Sequence, residues 1–107
     1  MKQATTVLPN NLVYIGSKGA VEQFLRALSK DLATKLITVN CVSPGPVNTP
    51  LFRAGKPEAV INAIKSLNPH NRLGTMDDIS GIVAFLAGPE SAWISGQNIR
   101  VNGAFAV

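Results

Sequence analysis

The 107-residue sequence has a single cysteine, Cys41, so no disulfide can form within the chain. Proteins without disulfides are typical of reducing compartments, which favours a cytoplasmic protein over a secreted one. The first residues form no apolar leader core, and no hydrophobic run approaches the roughly 20 residues needed to span a bilayer. The sequence therefore predicts neither a secreted domain nor a membrane partner.

Charged and aromatic residues are also scarce, at 15% and 6% of the chain. Ten lysines and arginines outnumber six acidic residues and give a net charge of +4, but they are spread along the chain without a run or stripe. A nucleic-acid-binding surface needs clustered basic residues, so we expect no nucleic-acid partner. Hydrophobic residues make up 46% of the sequence, which excludes a disordered chain and indicates at most one small globular domain.

The strongest pattern in the sequence is a long amphipathic segment. Apolar residues recur at helical spacing within residues 13–35 and predict a long helix whose buried stripe comprises Val21, Phe24, Leu25, Leu28 and Leu32. Tyr14 and Lys18 lie one turn apart near its start, so their side chains rise from one face. An ammonium held beside a phenol favours the phenolate, which makes Tyr14 a candidate general acid or base. The same spacing also arises by chance on surface helices, where such a pair adds only about 0.2–0.5 kcal/mol.

The rest of the sequence alternates short apolar runs with helical patterns. Residues 36–43 and 97–101 predict two short strands, the first rich in β-branched residues as in a buried parallel strand. Helical patterns over residues 56–67 and 75–88 lie between them, the second opened by a Thr-x-x-Asp capping box. This order predicts an α/β fold in which the two strands pair in parallel through a right-handed crossover.

A proline-rich segment follows the first predicted strand. Residues 43–52 contain three prolines and a glycine, which predicts a rigid loop whose backbone groups point in set directions. Such a loop would lie at the carboxyl end of the strand, where open α/β sheets bind their ligands. A purely structural crossover would have the same composition. Of the isolated residues nearby, His70 is interpreted as a surface or packing residue and Trp93 as a packing residue at a turn.

Several blocks of the sequence match a family pattern: YIGSK at residues 14–18, NCVSPGPVNTP at 40–50, RLGT at 72–75, DI at 78–79 and GQNIRVNG at 96–103. In content and spacing they resemble the short-chain dehydrogenase/reductase family over nearly the whole chain. The resemblance implies the C-terminal half of a Rossmann-type, doubly wound parallel sheet with about two strands and three helices. Residues 1–107 would then form a partial NAD(P)-binding domain of an oxidoreductase that transfers hydride between NAD or NADP and an alcohol or ketone.

The resemblance also implies roles for the helical pair. Tyr14 corresponds to the general acid/base that exchanges a proton with the substrate hydroxyl or carbonyl. Lys18 corresponds to the lysine that assists this tyrosine and hydrogen-bonds the nicotinamide ribose. Both would contact the cofactor as well as serve the chemistry.

Four loop residues correspond to cofactor contacts in the family. Pro44 and Gly45 would line the nicotinamide, and Val47 would meet its carboxamide through the backbone. The Thr49 hydroxyl would reach the carboxamide or a phosphate. Residues 51–68 match the variable region that closes over the substrate.

The family's Gly-rich dinucleotide loop has no counterpart in the 107 residues, nor do its substrate-orienting serine and its relay asparagine. We therefore expect a truncated chain with half of an active site, which alone binds NAD(P)H weakly and turns nothing over. The alternative is an inactive remnant that acts only as an association module. In either case, open apolar faces predict a homo-oligomer or an aggregation-prone chain.

Overall fold

The computed structural model describes residues 10–107. Within that range the chain forms two strands, four α-helices and two short 3₁₀ turns. In chain order these are α1 (Leu12–Asp31), a 3₁₀ turn (Ala33–Lys35), β1 (Cys41–Pro44), α2 (Pro50–Arg53), α3 (Glu58–Ser66), α4 (Met76–Ala87), a second 3₁₀ turn (Pro89–Ser91) and β2 (Asn98–Val101).

The sheet consists of β1 and β2, which run parallel. Cys41 pairs with Asn98 at one end of the ladder and Pro44 with Val101 at the other. Parallel strands need a long crossover, and α2, α3 and α4 supply it between the two strands. The predicted α/β fold and the parallel pairing are confirmed, with a short fourth helix, α2, that the sequence analysis did not predict.

The first strand is shorter than predicted, because residues 36–40 do not join the ladder. Leu36 adopts a left-handed φ of 57° at the end of the first 3₁₀ turn. The Asn40 side chain donates to the Ile94 carbonyl at 2.7 Å and accepts from the Gln97 N–H at 3.1 Å. These side-chain hydrogen bonds accompany one backbone bond, in which the Gly96 N–H donates to the Val39 carbonyl at 2.7 Å. The β-branched composition indicated a strand but not the residue at which it begins.

The predicted buried stripe on α1 is largely exposed, and that prediction is wrong for most of its members. Leu25 is 6% exposed, whereas Phe24 is 71% exposed and Val21 and Leu28 are 46% and 45% exposed. Leu32 is half-buried. Helical spacing reveals an apolar face, but it does not supply the surface that covers it, and within residues 10–107 Leu25 is the one member of this stripe that is buried.

Few large side chains are buried in the described part of the chain. Its buried hydrophobic residues are Leu25, Ile61 and Leu73, one from each of α1, α3 and the segment before α4. Trp93 is fully exposed in the turn after the second 3₁₀ turn, so its predicted packing role is wrong. The sequence indicates that Trp93 lies in a turn, but whether other side chains pack against its indole depends on the tertiary structure.

Candidate active site

Helix α1 places Tyr14 and Lys18 side by side, as their spacing predicts. The Lys18 Nζ lies 5.5 Å from the centroid of the Tyr14 ring. A cation at this distance from an aromatic face is attracted by about 0.5–1 kcal/mol at an exposed site. Tyr14 is 38% exposed and Lys18 is half-buried, so both side chains are accessible to a ligand. The pair offers a phenol that can donate a proton beside an ammonium that can donate hydrogen bonds.

The loop after β1 rests directly on the residue that follows β2. The Gly45 N–H donates to the Val101 carbonyl at 3.0 Å. A Cβ on Gly45 would lie 2.6 Å from the Asn102 Cβ and 2.9 Å from its Cα, closer than real side chains approach. Only glycine fits this crossing without movement of the backbone. The sequence analysis selected Gly45 from the family pattern, and the structure shows why no larger residue fits there.

A single β-bridge fixes the next part of this loop. The Gly74 N–H donates to the Pro46 carbonyl, and the Asn48 N–H donates to the Gly74 carbonyl, both at 2.9 Å. This is a parallel bridge between Val47 and Gly74. In a parallel bridge the central residue turns its own N–H and C=O away from its partner. Within residues 10–107 neither group of Val47 has a hydrogen-bond partner, so one donor and one acceptor are available to a ligand.

Thr49 serves as the N-cap of α2. Its Oγ1 accepts a hydrogen bond from the Phe52 N–H at 3.1 Å, and Pro50 occupies the first turn. The hydroxyl hydrogen remains free to donate, so the cap is compatible with a ligand contact. The Thr-Pro pair was a sequence signal for this helix start, since threonine favours the N-cap and proline the first helical position.

The loop lines one wall of a broad groove of ≈ 1470 Å³. Pro44, Gly45, Val47 and Thr49 all face it. Apolar side chains of α2, α3 and α4 and of the segment between the last two form much of the rest of its lining: Leu51, Phe52, Ile64, Leu67, Met76, Ile79 and Val83. The groove therefore suits an apolar ligand.

Lys56 is the charged side chain among the described residues that line this groove. Its Nζ donates to the Phe52 carbonyl at 2.5 Å and lies 4.7 Å from the centroid of the Phe52 ring. Those contacts hold the ammonium against the end of α2.

The structure brings the predicted site residues together in two sets. Tyr14 and Lys18 form one set on α1, and the four loop residues form the other along the groove. Neither member of the helical pair lines the groove in the described part of the chain. The resemblance places both sets around one nicotinamide, and that convergence stays a prediction.

Sequence reasoning missed one strong polar contact beside the loop. The Arg72 Nη1 donates to the Asp78 Oδ2 at 2.7 Å, and its Nη2 to Oδ1 at 3.3 Å. Both residues lie in segments that carry the family resemblance, and Asp78 also lies in the predicted capping box, which the structure confirms, but their contact was not predicted. Arg72 before the start of α4 and Asp78 in its first turn carry opposite charges, and this was the sequence signal that could have predicted the contact. Hydrogen bonds from Arg72 and from Thr75 hold the pKa of the Asp78 carboxyl well below its usual range.

Two kinds of site are not found among residues 10–107. None of their helices combines the length and the apolar character of a membrane span. Their histidine, cysteine and acidic side chains form no group of three that could hold a metal ion.

Comparison with known proteins shows which family the chain resembles. A family model described as enoyl-(acyl carrier protein) reductase matches residues 1–105. A short-chain type dehydrogenase/reductase of Picea abies is 47% identical over 96 residues, which cover 90% of this chain and 35% of that protein. The NADPH-dependent aldehyde reductase 2, chloroplastic, of Arabidopsis thaliana is 46% identical over 90 residues, which cover 84% of this chain and 33% of that protein.

A solved structure supports the same assignment. A short-chain dehydrogenase family protein from Francisella tularensis superposes with a TM-score of 0.85 at 31% identity, over 96% of this chain and 47% of that one. The chain thus spans about a third of the length of the curated relatives it matches. Both the predicted resemblance and the predicted Rossmann-type sheet are confirmed. The chain belongs to the short-chain dehydrogenase/reductase family.

Proposed function

We propose that residues 1–107 supply the proton-transfer pair and the nicotinamide-side wall of an NAD(P)-dependent oxidoreductase acting on an alcohol or carbonyl compound. The observation that carries this proposal is the Tyr14–Lys18 pair, with the ammonium 5.5 Å from the ring centroid on an accessible helix face. Family membership supports the reaction class, and an aldehyde reductase among the relatives supports a carbonyl substrate.

The two residues of the pair take different roles. In the direction of reduction, the Tyr14 hydroxyl gives its proton to the carbonyl oxygen, and in oxidation it takes the proton back. Lys18 donates hydrogen bonds to the cofactor ribose. When bound, the nicotinamide supplies or accepts the hydride.

The residues of the loop fit the cofactor. Val47 presents one backbone N–H and one C=O without partners among residues 10–107, which match the donor and acceptor of a primary carboxamide. The Gly45 backbone lies flush against the chain after β2, so the wall beside Val47 has no protruding side chain at that point. Thr49 retains a hydroxyl hydrogen to donate. We propose that these residues, with Pro44, bind the nicotinamide end of NAD or NADP.

The groove supports an apolar small-molecule substrate. Its lining is built mainly from aliphatic and aromatic side chains of α2, α3 and α4, and it includes the loop that would hold the nicotinamide. An apolar carbonyl compound would bury these side chains while its oxygen faced Tyr14. We also predict that the protein is cytoplasmic and that it associates with itself.

A second candidate function is association without catalysis. The apolar face of α1 favours it, because Phe24 is 71% exposed and Val21 and Leu28 are nearly half exposed. Apolar patches of this kind mark interaction surfaces in soluble proteins.

An activity measurement separates the two candidates. Residues 1–107 would be joined to the segment of the Picea abies relative that precedes its match to this chain, giving what we call the joined polypeptide. We expect NADH- or NADPH-dependent reduction of apolar aldehydes and ketones by the joined polypeptide. Residues 1–107 alone should bind NAD(P)H only in the roughly millimolar range or weaker, since the pyrophosphate subsite of the family lies in its Gly-rich loop.

Tyr14→Phe tests the role of the phenol directly. The substitution removes only the hydroxyl, and we expect kcat to fall by about 10²–10⁴-fold. Ser17→Ala, which removes a hydroxyl from the same stretch of helix, is the matched control and should leave kcat nearly unchanged. If the Tyr14→Phe variant of the joined polypeptide reduced carbonyls as well as the unsubstituted one, the role of Tyr14 would be refuted. A folded joined polypeptide without activity would favour the association module.

A further inference from the structure

The ion pair between Arg72 and Asp78 ties together both ends of a short segment. Two guanidinium nitrogens reach the two carboxylate oxygens at 2.7 and 3.3 Å, which is a bidentate geometry. The Arg72 Nη1 also donates to the Leu73 carbonyl at 2.9 Å. Leu73 is 6% exposed, so this end of the segment is anchored by burial as well.

The same carboxylate holds the start of α4. The Thr75 N–H donates to the Asp78 Oδ2 at 2.8 Å, and the Asp78 N–H donates to the Thr75 Oγ1 at 3.2 Å. Gly74 therefore lies between two residues that are held in place. Leu73 is bonded to Arg72, the partner of Asp78, and Thr75 is bonded to Asp78 itself. A Cβ on Gly74 would be 3.9 Å from the Asp78 Oδ2, which shows how close the carboxylate comes to this residue.

Gly74 in turn holds the loop. Its N–H donates to the Pro46 carbonyl, and its C=O accepts from the Asn48 N–H. Because these bonds hold both neighbours of Val47, the position of Gly74 determines how the Val47 backbone is oriented. Arg72, Asp78, Gly74 and Val47 also line one small cavity of ≈ 160 Å³. The ion pair and the loop thus face the same small cavity, and the N–H and C=O of Val47 are not used in its bridge to Gly74.

We propose that Arg72 and Asp78 are positioning residues that hold the Val47 backbone ready to bind the primary carboxamide of a nicotinamide. This inference rests on the proposed function and adds to it a structural cause for cofactor affinity. Neither side chain touches the ligand. They act through Gly74, and a preorganised donor and acceptor bind more tightly because less ordering has to occur on binding.

The test compares two ligands on the joined polypeptide. One is the dinucleotide that it uses, NADH or NADPH, and the other is the matching ADP-ribose or 2′-phospho-ADP-ribose, which lacks the nicotinamide. For Asp78→Asn and for Arg72→Lys, we expect the Kd of the dinucleotide to rise about tenfold, the loss of a single good contact. The Kd of the nicotinamide-free ligand should stay within about twofold.

Glu22→Gln is the matched control, because it also breaks an ion pair, with Arg26 at 3.4 Å, but one that lies within α1 and involves neither the loop nor the segment before α4. It should change neither Kd. Equal weakening of both ligands by Asp78→Asn and Arg72→Lys would overturn the proposal, since it indicates a general structural role. Unchanged affinity for both ligands would overturn it as well. Failure of the unsubstituted joined polypeptide to bind either dinucleotide would refute the proposed function, and this inference with it.

Discussion

Gly45→Ala tests whether the loop after β1 is seated on the end of β2 as the structure shows. The new Cβ would lie 2.6 Å from the Asn102 Cβ and 2.9 Å from the Asn102 Cα. Carbon atoms in contact prefer about 3.5–4.0 Å, so one of the two backbones must move by several tenths of an ångström or more. Asn102 is not free to yield, because its carbonyl accepts from Asn68 at 3.0 Å and its side chain donates to Ala106 at 2.8 Å.

Two opposing effects set the magnitude. Overpacking of this kind costs about 1–3 kcal/mol. The φ of Gly45 lies outside the left-handed region, so alanine can adopt the backbone conformation and recovers about 0.4–1 kcal/mol from the smaller entropy of the unfolded chain. The clash involves a backbone atom, which favours the upper part of the range. We therefore expect the free energy of unfolding to fall by about 2 kcal/mol.

Urea unfolding of the joined polypeptide, followed by far-UV circular dichroism, measures this difference. Gly81→Ala in α4 is the matched control, because a Cβ there meets nothing within 4 Å. In a helix interior that change should stabilise by about 0.5–1 kcal/mol. If Gly45→Ala were as stable as the unsubstituted protein while Gly81→Ala gained stability, the result would refute the close contact between the Gly45 and Asn102 backbones.

Two further predictions concern acid stability and association. The depressed pKa of Asp78 means that its contribution to stability is present above the unfolded value of about 4 and is lost as the pH falls below it. The urea concentration at half-unfolding should therefore decrease less between about pH 5 and pH 2 in Asp78→Asn than in the unsubstituted protein. An equal decrease in both proteins would contradict this. For residues 1–107 alone, Phe24→Ser should lower the mass seen by light scattering at tens of micromolar, because Phe24 is 71% exposed on an apolar face. Trp93→Ser, which removes an isolated exposed aromatic, should not, and a monomer before any substitution would refute the expected association.

The parts of the fold that depend on local chemistry were predictable from sequence. Helical periodicity located α1 and α4 to within a few residues, and the capping box at the start of α4 forms as predicted. Tyr14 and Lys18 meet because i, i+4 residues share a helix face, whatever the tertiary structure. The parallel pairing followed from the order of strands and helices along the chain.

The parts that depend on distant neighbours were not predictable. Strand β1 begins at Cys41 rather than at residue 36, and just before it the Asn40 side chain hydrogen-bonds with residues 94 and 97, more than fifty positions away. Whether Phe24 and Trp93 are covered depends on surfaces that no periodicity describes. The pairing of Arg72 with Asp78 needed the turn between them, which brings two side chains six residues apart into bidentate contact.

The candidate cofactor contact at Val47 shows why a residue can be functional without a chemical signature in its side chain. Three prolines in residues 43–52 remove N–H donors from the loop. Of the donors that remain, the Gly45 N–H bonds to the end of β2 and the Asn48 N–H bonds to the segment before α4. Val47 lies between them, so the bonds of its neighbours leave its own N–H and C=O pointing away from Gly74. Valine at this position supplies only apolar surface, and the recognition of a carboxamide would come from the direction of its backbone, which the residues around it determine.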